Sequence, residues 1–362
     1  MYTVTVIPGD GIGPEVIDAT LQCINALGLK IKWEFVLAGE PALKEEGELL
    51  PLKTLESIKK NRVAIKGPIV TPVGSGFRSV NVALRQRLDL FACVRPAHSI
   101  KGIPLAKDNI DIIVIRENSE DLYAGIEFYK GKNDTLDVIK SIEKNLDIEI
   151  RKDSALSIKP ISYSASRRII RFAFELAKKE SRKKVTCVHK ANIMKATDGL
   201  FLETFKEVAE DYPNIIAEDI IVDNLSMQLV MRPHKFDILV LPNLYGDIVS
   251  DLCAGLIGGL GVAPGANIGD NYAVFEPVHG AAPKYKGKNK VNPTATVLSG
   301  VMMLKYLGEI KLASLLEEAV REVIKEGKFV TYDLKLDRND LSSIGTKEMA
   351  EAIIEKIKKL KG

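Results

Sequence analysis

The sequence predicts an α/β protein in which helices cover both faces of a sheet. Short apolar runs rich in β-branched residues recur along the chain without strict alternation, as strands buried on both faces do. Longer amphipathic stretches separate them, which is the alternation of a sheet sandwiched by helices. A chain of 362 residues is also long enough for two modest domains or one large α/β unit.

Residues 2–7 form the first expected strand, followed by a Gly/Pro turn and a helix over 14–27 with Pro14 in its first turn, where a missing N–H costs nothing. Further strands are expected at 62–65, 90–94, 112–115, 184–188 and 238–241. Helices are expected at 82–87, 164–179, 199–212, 248–257, 295–307 and 313–326. Residues 129–158 are polar and charged without a clear period, and read as a projecting insertion. No internal repeat or low-complexity segment interrupts the pattern.

Composition excludes several classes. A net charge of +3, from 51 basic and 48 acidic residues, leaves no nucleic-acid footprint. Cys23, Cys93, Cys187 and Cys253 lie far apart, which fits a reducing cytoplasm better than a disulfide framework. The N-terminal residues lack the basic and apolar regions of a signal peptide. The most apolar stretch, 251–262, is Gly-rich and too short to cross a membrane.

Several segments carry chemistry. GDGIGPE, with Gly9, Gly11 and Gly13, suggests a dinucleotide fingerprint, but the third glycine comes one residue early and Pro14 follows. A tight turn permitted by glycine is the simpler reading. In TPVGSGFRSVNVALR, Ser79 and Asn81 stand near a helix start, where they can cap the helix or hold a carboxylate. Arg85, Arg95 and Arg116 sit on that helix or at the ends of apolar runs. One such arginine is commonly a structural ion pair, whereas a set of them with Ser79 and Asn81 points to a small polyanion. Asp247 and Asp251 are four apart on an expected helix. Like charges on one helical face repel, so a hard divalent cation between them, Mg2+ or Mn2+, is favoured over a surface pair. Asp223, closing EDIIVD, is a candidate third ligand. VHKANIMK delivers Lys190 and Asn192 to a loop, and EPVHGAAPKYKGKNKVNPTA reads as an ordered loop carrying His279, Lys284 and Tyr285.

Together these segments, with RENSEDLYAG and APGANIGD, resemble the β-decarboxylating dehydrogenases, the isocitrate and 3-isopropylmalate dehydrogenase family, over nearly the whole chain. The Ser79-Val80-Asn81 step and RENSEDLYAGIE resemble the isocitrate form. The resemblance implies a two-domain fold of helices on both faces of mixed sheets, distinct from the Rossmann fold, working as a homodimer with shared active sites. Residues 1–92 and 258–362 would form the large domain and 93–257 the small one, with a clasp at about 124–163.

By motif, Ser79, Asn81, Arg85, Arg95, Arg116 and Tyr123 would bind isocitrate in one subunit, while Lys190, Asn192 and Asp223 would reach in from the other. Asp223, Asp247 and Asp251 would hold the metal. Lys190 with Asp223 would be the base side, and Tyr123 the acid, its pKa lowered by nearby cations. Three substrate carboxylates and three aspartates would balance three arginines, a lysine and the divalent ion, as a buried polar site requires.

Thr71 would face the nicotinamide, and His279, Lys284, Tyr285, Val291 and Asn292 would hold the adenosine end. NADP is expected over NAD, because NAD-using relatives carry an acid at the position of Lys284 and an apolar residue at that of Tyr285. Arg232 and Tyr332 match the remaining phosphate set, but the arginine expected four residues after Tyr332 is Leu336, with Arg338 two further on. Rival readings are a dehydrogenase for homoisocitrate or 3-isopropylmalate, a non-catalytic regulatory subunit, and a nucleotide-binding module.

Overall fold

The computed structural model describes residues 1–70 and 79–361, so Thr71 and the turn at 74–76 lie outside the described residues. The strands are β1 (Tyr2–Ile7), β2 (Ile31–Phe35), β3 (Val63–Lys66), β4 (Ala92–His98), β5 (Asp111–Glu117), β6 (Glu127–Phe128), β7 (Leu156–Ser157), β8 (Lys184–His189), β9 (Ile216–Ile221), β10 (Ile238–Leu241), β11 (Pro264–Ile268) and β12 (Ala273–Pro277). The helices are α1 (Gly13–Asn25), α2 (Glu40–Glu46), α3 (Leu52–Asn61), α4 (Val80–Arg87), α5 (Asn133–Leu146), α6 (Tyr163–Lys179), α7 (Thr197–Ala209), α8 (Val222–Met231), α9 (Asn243–Leu256), α10 (Thr294–Tyr306), α11 (Ile310–Glu326) and α12 (Thr346–Lys361).

One mixed ten-stranded sheet runs in the order β2-β1-β3-β12-β11-β4-β5-β10-β8-β9. Its flanks are parallel, and its centre, β12-β11-β4-β5, is antiparallel. Alternation along β3 sends Val63 and Ile65 into the main core, while Ala64 joins Leu55 and Ile58 of α3 on the opposite face. Helices therefore cover both faces, as the apolar runs predicted. No helix among the described residues is long and apolar enough to cross a membrane.

The structure departs from the expected elements where pattern gave way to packing. β4 continues to His98, which puts Arg95 inside a strand rather than at its end. α9 begins at Asn243, five residues before the expected start, because Pro242 precedes the first turn and Gly246 is tolerated inside it. Residues 129–158 contain α5, whose Ile139 is fully buried, next to a β6-β7 ribbon. β9 was not expected because an edge strand has little need of apolar residues on both faces. β11 was hidden by Pro264 and Gly265, which pack beneath α10.

Candidate active site

The floor of the site is one face of the antiparallel centre. Cys93 on β4 lies opposite both Arg116 on β5 and Asn267 on β11. Directly paired residues share a face, as do residues two apart, so Arg95 and Arg116 emerge side by side. Asn267 pairs with Val274, which brings Glu276, two residues on, to the same face.

α9 crosses this floor and supplies the acids. Asp247 accepts hydrogen bonds from Arg116 and from the Tyr123 hydroxyl, and lies 3.3 Å from Arg95. Asp251, one turn on, is also 3.3 Å from Arg95. The expected helical pairing of the two carboxylates is present, and Arg95 bridges them. The close approach depends on Gly246, where a Cβ would fall 2.5 Å from Arg116 Cγ. Arg116 Nε donates to Asn243 at 2.9 Å, and its ring neighbour is Tyr123, 4.6 Å from guanidinium to centroid.

The electrostatics differ between neighbours: burial would lower the Arg95 pKa, but Asp247, Asp251 and Glu276 help raise it. Burial, then the Arg85 and Arg95 guanidiniums, push the Arg116 pKa below its ordinary value. Burial would raise Asp247, but Arg116, Tyr123 and Arg95 together hold it below the usual carboxylate range. Burial raises Asp251, with Arg95 opposing and Asp247 adding to the rise. Among the described residues, Asn81 Oδ1, Arg85 Nε and Arg116 Nη2 are buried side-chain atoms with no hydrogen-bond partner. Unpaired buried groups of this kind call for a partner, and a polar ligand lying between them would supply one. The expectation that nearby cations lower the Tyr123 pKa is overturned: burial and the bond to Asp247 raise it, outweighing Arg116.

Ser79 is the residue preceding the first turn of α4, and Arg85 on that helix lies 3.4 Å from Glu276. Glu276 also pairs with the buried Lys66 at 2.6 Å and accepts from Asn267 at 2.6 Å. Burial would raise the Glu276 carboxyl, but Lys66 and Arg85 bring it down to about 2. Lys66 and Glu276 escaped the sequence reading. The signal was the one used for the arginines, an ionic residue closing an apolar strand in VAIK and AVFE.

Lys190 and Asn192 stand in the loop after β8, and Lys190 Nζ meets Asp223, in the first turn of α8, at 2.5 Å. No group of three acidic, His or Cys side chains suited to a metal forms within the described residues of one chain. Asp247 and Asp251 are an all-oxygen donor pair, which fits a hard divalent ion, and a third carboxylate would have to come from elsewhere.

A second cleft, of about 250 Å3, is lined by His279, Tyr285, Val291, Asn292 and Tyr332, with Asp333 on its wall. The Tyr285 and Tyr332 rings are 6.3 Å apart, with Lys284 Nζ 4.9 Å from the first and Lys290 Nζ 4.8 Å from the second. Burial and the bond with Tyr285 push Tyr332 up to about 12. His279 Nε2 is buried and unpaired. Asn292 donates to Asp333 at 3.0 Å and accepts from Thr294 N at 2.9 Å, so its side chain already has structural partners. Arg232 closes α8 in the β8-β9 half of the sheet, away from this tyrosine pair.

GDGIGPE braces this second cleft. Gly9 and Gly11 adopt φ of 79° and 56°, the turn the sequence suggested. Ile12 N donates to Ala281 O at 2.9 Å, and Glu15 accepts from Gly287 N and from Asn289 N, the latter at 3.0 Å. Ile12 and Val16 pack against Val291 and Tyr285.

Comparison with known proteins agrees with this architecture. A crystal structure of isocitrate dehydrogenase from Methylococcus capsulatus superposes with a TM-score of 0.89 at 50% identity, covering 99% of both chains. The NADP isocitrate dehydrogenase of Archaeoglobus fulgidus is 43% identical over 97% of this chain and 92% of its own. A regulatory polypeptide of the mitochondrial NAD isocitrate dehydrogenase of Dictyostelium discoideum is 46% identical over 98% of this chain and 93% of its own. Residues 3–353 match the family described as isocitrate/isopropylmalate dehydrogenase. By its sequence, its sheet and the arginine-aspartate cluster on that sheet, the chain belongs to the isocitrate/isopropylmalate dehydrogenase family.

Proposed function

We propose that the chain catalyses the metal-dependent oxidative decarboxylation of isocitrate to 2-oxoglutarate, with NADP as hydride acceptor. The observation that carries this reading is the convergence of Arg85, Arg95 and Arg116 on one face, with Arg85 Nε, Arg116 Nη2 and Asn81 Oδ1 buried and unpaired beside an acidic pair. The guanidiniums hold substrate carboxylates, and Ser79 and Asn81 orient the molecule from the start of α4. Tyr123, still a protonated phenol, donates from its place beside Asp247 to the carbon left by the departing carbon dioxide. Lys190 and Asp223, in hydrogen-bond contact, serve as the base side for the substrate hydroxyl. Asp247 and Asp251, with Asp223 of a second protomer, would hold Mg2+ or Mn2+, which when bound supplies Lewis acidity to the hydroxyl and its neighbouring carboxylate.

The adenosine end of the dinucleotide belongs in the second cleft, and Thr71 at its nicotinamide end. Lys284, Tyr285 and Tyr332, with Lys290 beside them, offer cations and hydroxyls to a 2′-phosphate. Arg338 bears on Tyr332 electrostatically although Leu336 points into solvent. Leu336 is also what favours the second reading, NAD.

We read each protomer as two lobes, residues 1–92 with 258–362 and residues 93–257, in a homodimer. Met227 and Met231 on α8 and Ile248 on α9 leave apolar surface exposed, as a dimer interface would. The reading is tested by an absorbance assay with isocitrate, homoisocitrate and 3-isopropylmalate against NADP and NAD, with Mg2+ and with chelator. Isocitrate with NADP and Mg2+ is expected to give the highest kcat/KM. A higher value with another acid overturns the substrate, and an equal or higher value with NAD overturns the cofactor.

A further inference from the structure

The loop that presents Lys190 is held from inside by the residue before it. His189 is 4% exposed, and its Nδ1 lies 3.0 Å from the backbone nitrogen of Ala191. Its Nε2 lies 3.0 Å from Asp219 Oδ2 on the neighbouring edge strand β9. A backbone N–H can only donate, so Nδ1 is the bare acceptor and the ring proton sits on Nε2, where it donates to Asp219. On the other side, the fully buried Asp198 accepts from Lys190 N at 2.7 Å and is held by Lys159 at 2.6 Å. Two consecutive backbone N–H groups, those of residues 190 and 191, are thus held by side chains anchored in different elements.

We propose that His189 is a positioning residue for Lys190: Asp219 selects the imidazole tautomer whose Nδ1 pins the backbone of the lysine loop. The inference rests on the reading of Lys190 as a catalytic residue. The pin acts one peptide unit from the lysine, so its loss displaces the ammonium with little effect on the arginines that hold substrate. Misplacing a reacting group by about 1 Å can cost on the order of 100-fold in rate.

Two substitutions separate the pin from the bulk of the ring. In His189→Asn, Oδ1 falls near the place of Nδ1 and can accept from Ala191 N–H. In His189→Gln, the amide nitrogen reaches Asp219 in place of Nε2, and no acceptor remains near Ala191. The Asn variant is expected to keep kcat within about 3-fold of wild type, whereas the Gln variant loses roughly 30-fold with little change in isocitrate KM. Amide exchange at Ala191 should stay slow in the Asn variant and quicken at least about 10-fold in the Gln variant.

Equal kcat and equal Ala191 protection in the two variants overturn the proposal. Asp219→Ala, at a partly exposed edge position that keeps the ring in place, serves if the histidine variants fail to fold. It is expected to lower kcat and quicken Ala191 exchange, and wild-type values in both would count against the tautomer lock. Wild-type turnover in Lys190→Ala would overturn the catalytic reading of the lysine instead, while Ala191 exchange still reports on the pin.

Discussion

At the scale of single residues, the site works through charges that its own fold leaves incompletely matched. Ser79 precedes the first turn of α4, the helix that carries Arg85, and on the proposed reading a negative charge there would compete with a substrate carboxylate for the arginines. Ser79→Asp is expected to leave the fold intact and raise isocitrate KM by roughly 100-fold, since the introduced carboxylate takes the place of a substrate carboxylate. A near-normal KM would reduce Ser79 to a helix cap.

Glu276 gives a pH signature, because its carboxyl is brought down to about 2 by Lys66 and Arg85 against the effect of burial. A depressed folded pKa contributes stability that is complete above the unfolded value of about 4.3 and is lost as pH falls through the folded value. Glu276→Gln leaves Lys66 and Arg85 without their anion, and is expected to destabilise by roughly 3 kcal/mol near neutrality. Urea unfolding should find that gap about 2 kcal/mol narrower at about pH 3 than at about pH 6. A gap that does not change with pH would show that Glu276 titrates normally in the folded protein.

At the scale of elements, the Gly-rich turn before α1 acquires a purpose its own sequence does not declare. Gly11 must be glycine because a Cβ would stand 2.1 Å from Ala281 O, and that contact ties the turn to the loop of the second cleft. Glu15 then clamps the same loop through two backbone N–H groups. Glu15→Ala is expected to raise KM for the dinucleotide about 10-fold, from the loss of two charge-assisted bonds, with isocitrate binding unchanged. Calorimetric titration with each ligand checks it, and equal weakening of both would point to general loosening of the fold. RENSEDLYAG was legible through its resemblance to the family, and NLYGDIVSD also through the four-residue spacing of Asp247 and Asp251. What they touch was not legible: Tyr123 and Asp247 are 124 positions apart and meet because α9 packs against both β5 and the turn at 121–124 that follows it.

At the scale of the whole molecule, Asp223 pairs with Lys190 within its own chain, and no third carboxylate joins Asp247 and Asp251 among the described residues. This arrangement supports a shared site, which mixing inactive variants can test. Tyr123→Phe and Lys190→Ala, refolded or co-expressed together, pair at random into about half heterodimers. If sites are shared across the two-fold axis, one site of each heterodimer carries both lesions and the other is intact, so about a quarter of all sites recover activity. If each site lies within one chain, every site keeps a lesion. Absence of recovery with heterodimers demonstrably present would sink the shared site.

The sequence by itself determined the fold class and the family resemblance, and it singled out Arg85, Arg95, Arg116, Asp247 and Asp251 as candidates without showing what each one meets. Strand runs, helix periods and ionic residues closing apolar segments are local patterns, written in neighbouring residues. Only the tertiary structure decided that the sheet is continuous, that its centre is antiparallel, and that Glu276 and Lys66 complete the arginine floor. It also decided that burial and Asp247 set the Tyr123 pKa against the pull of Arg116. Register, desolvation and charge balance depend on residues far apart in the chain, and their energies exist only once those residues are packed together.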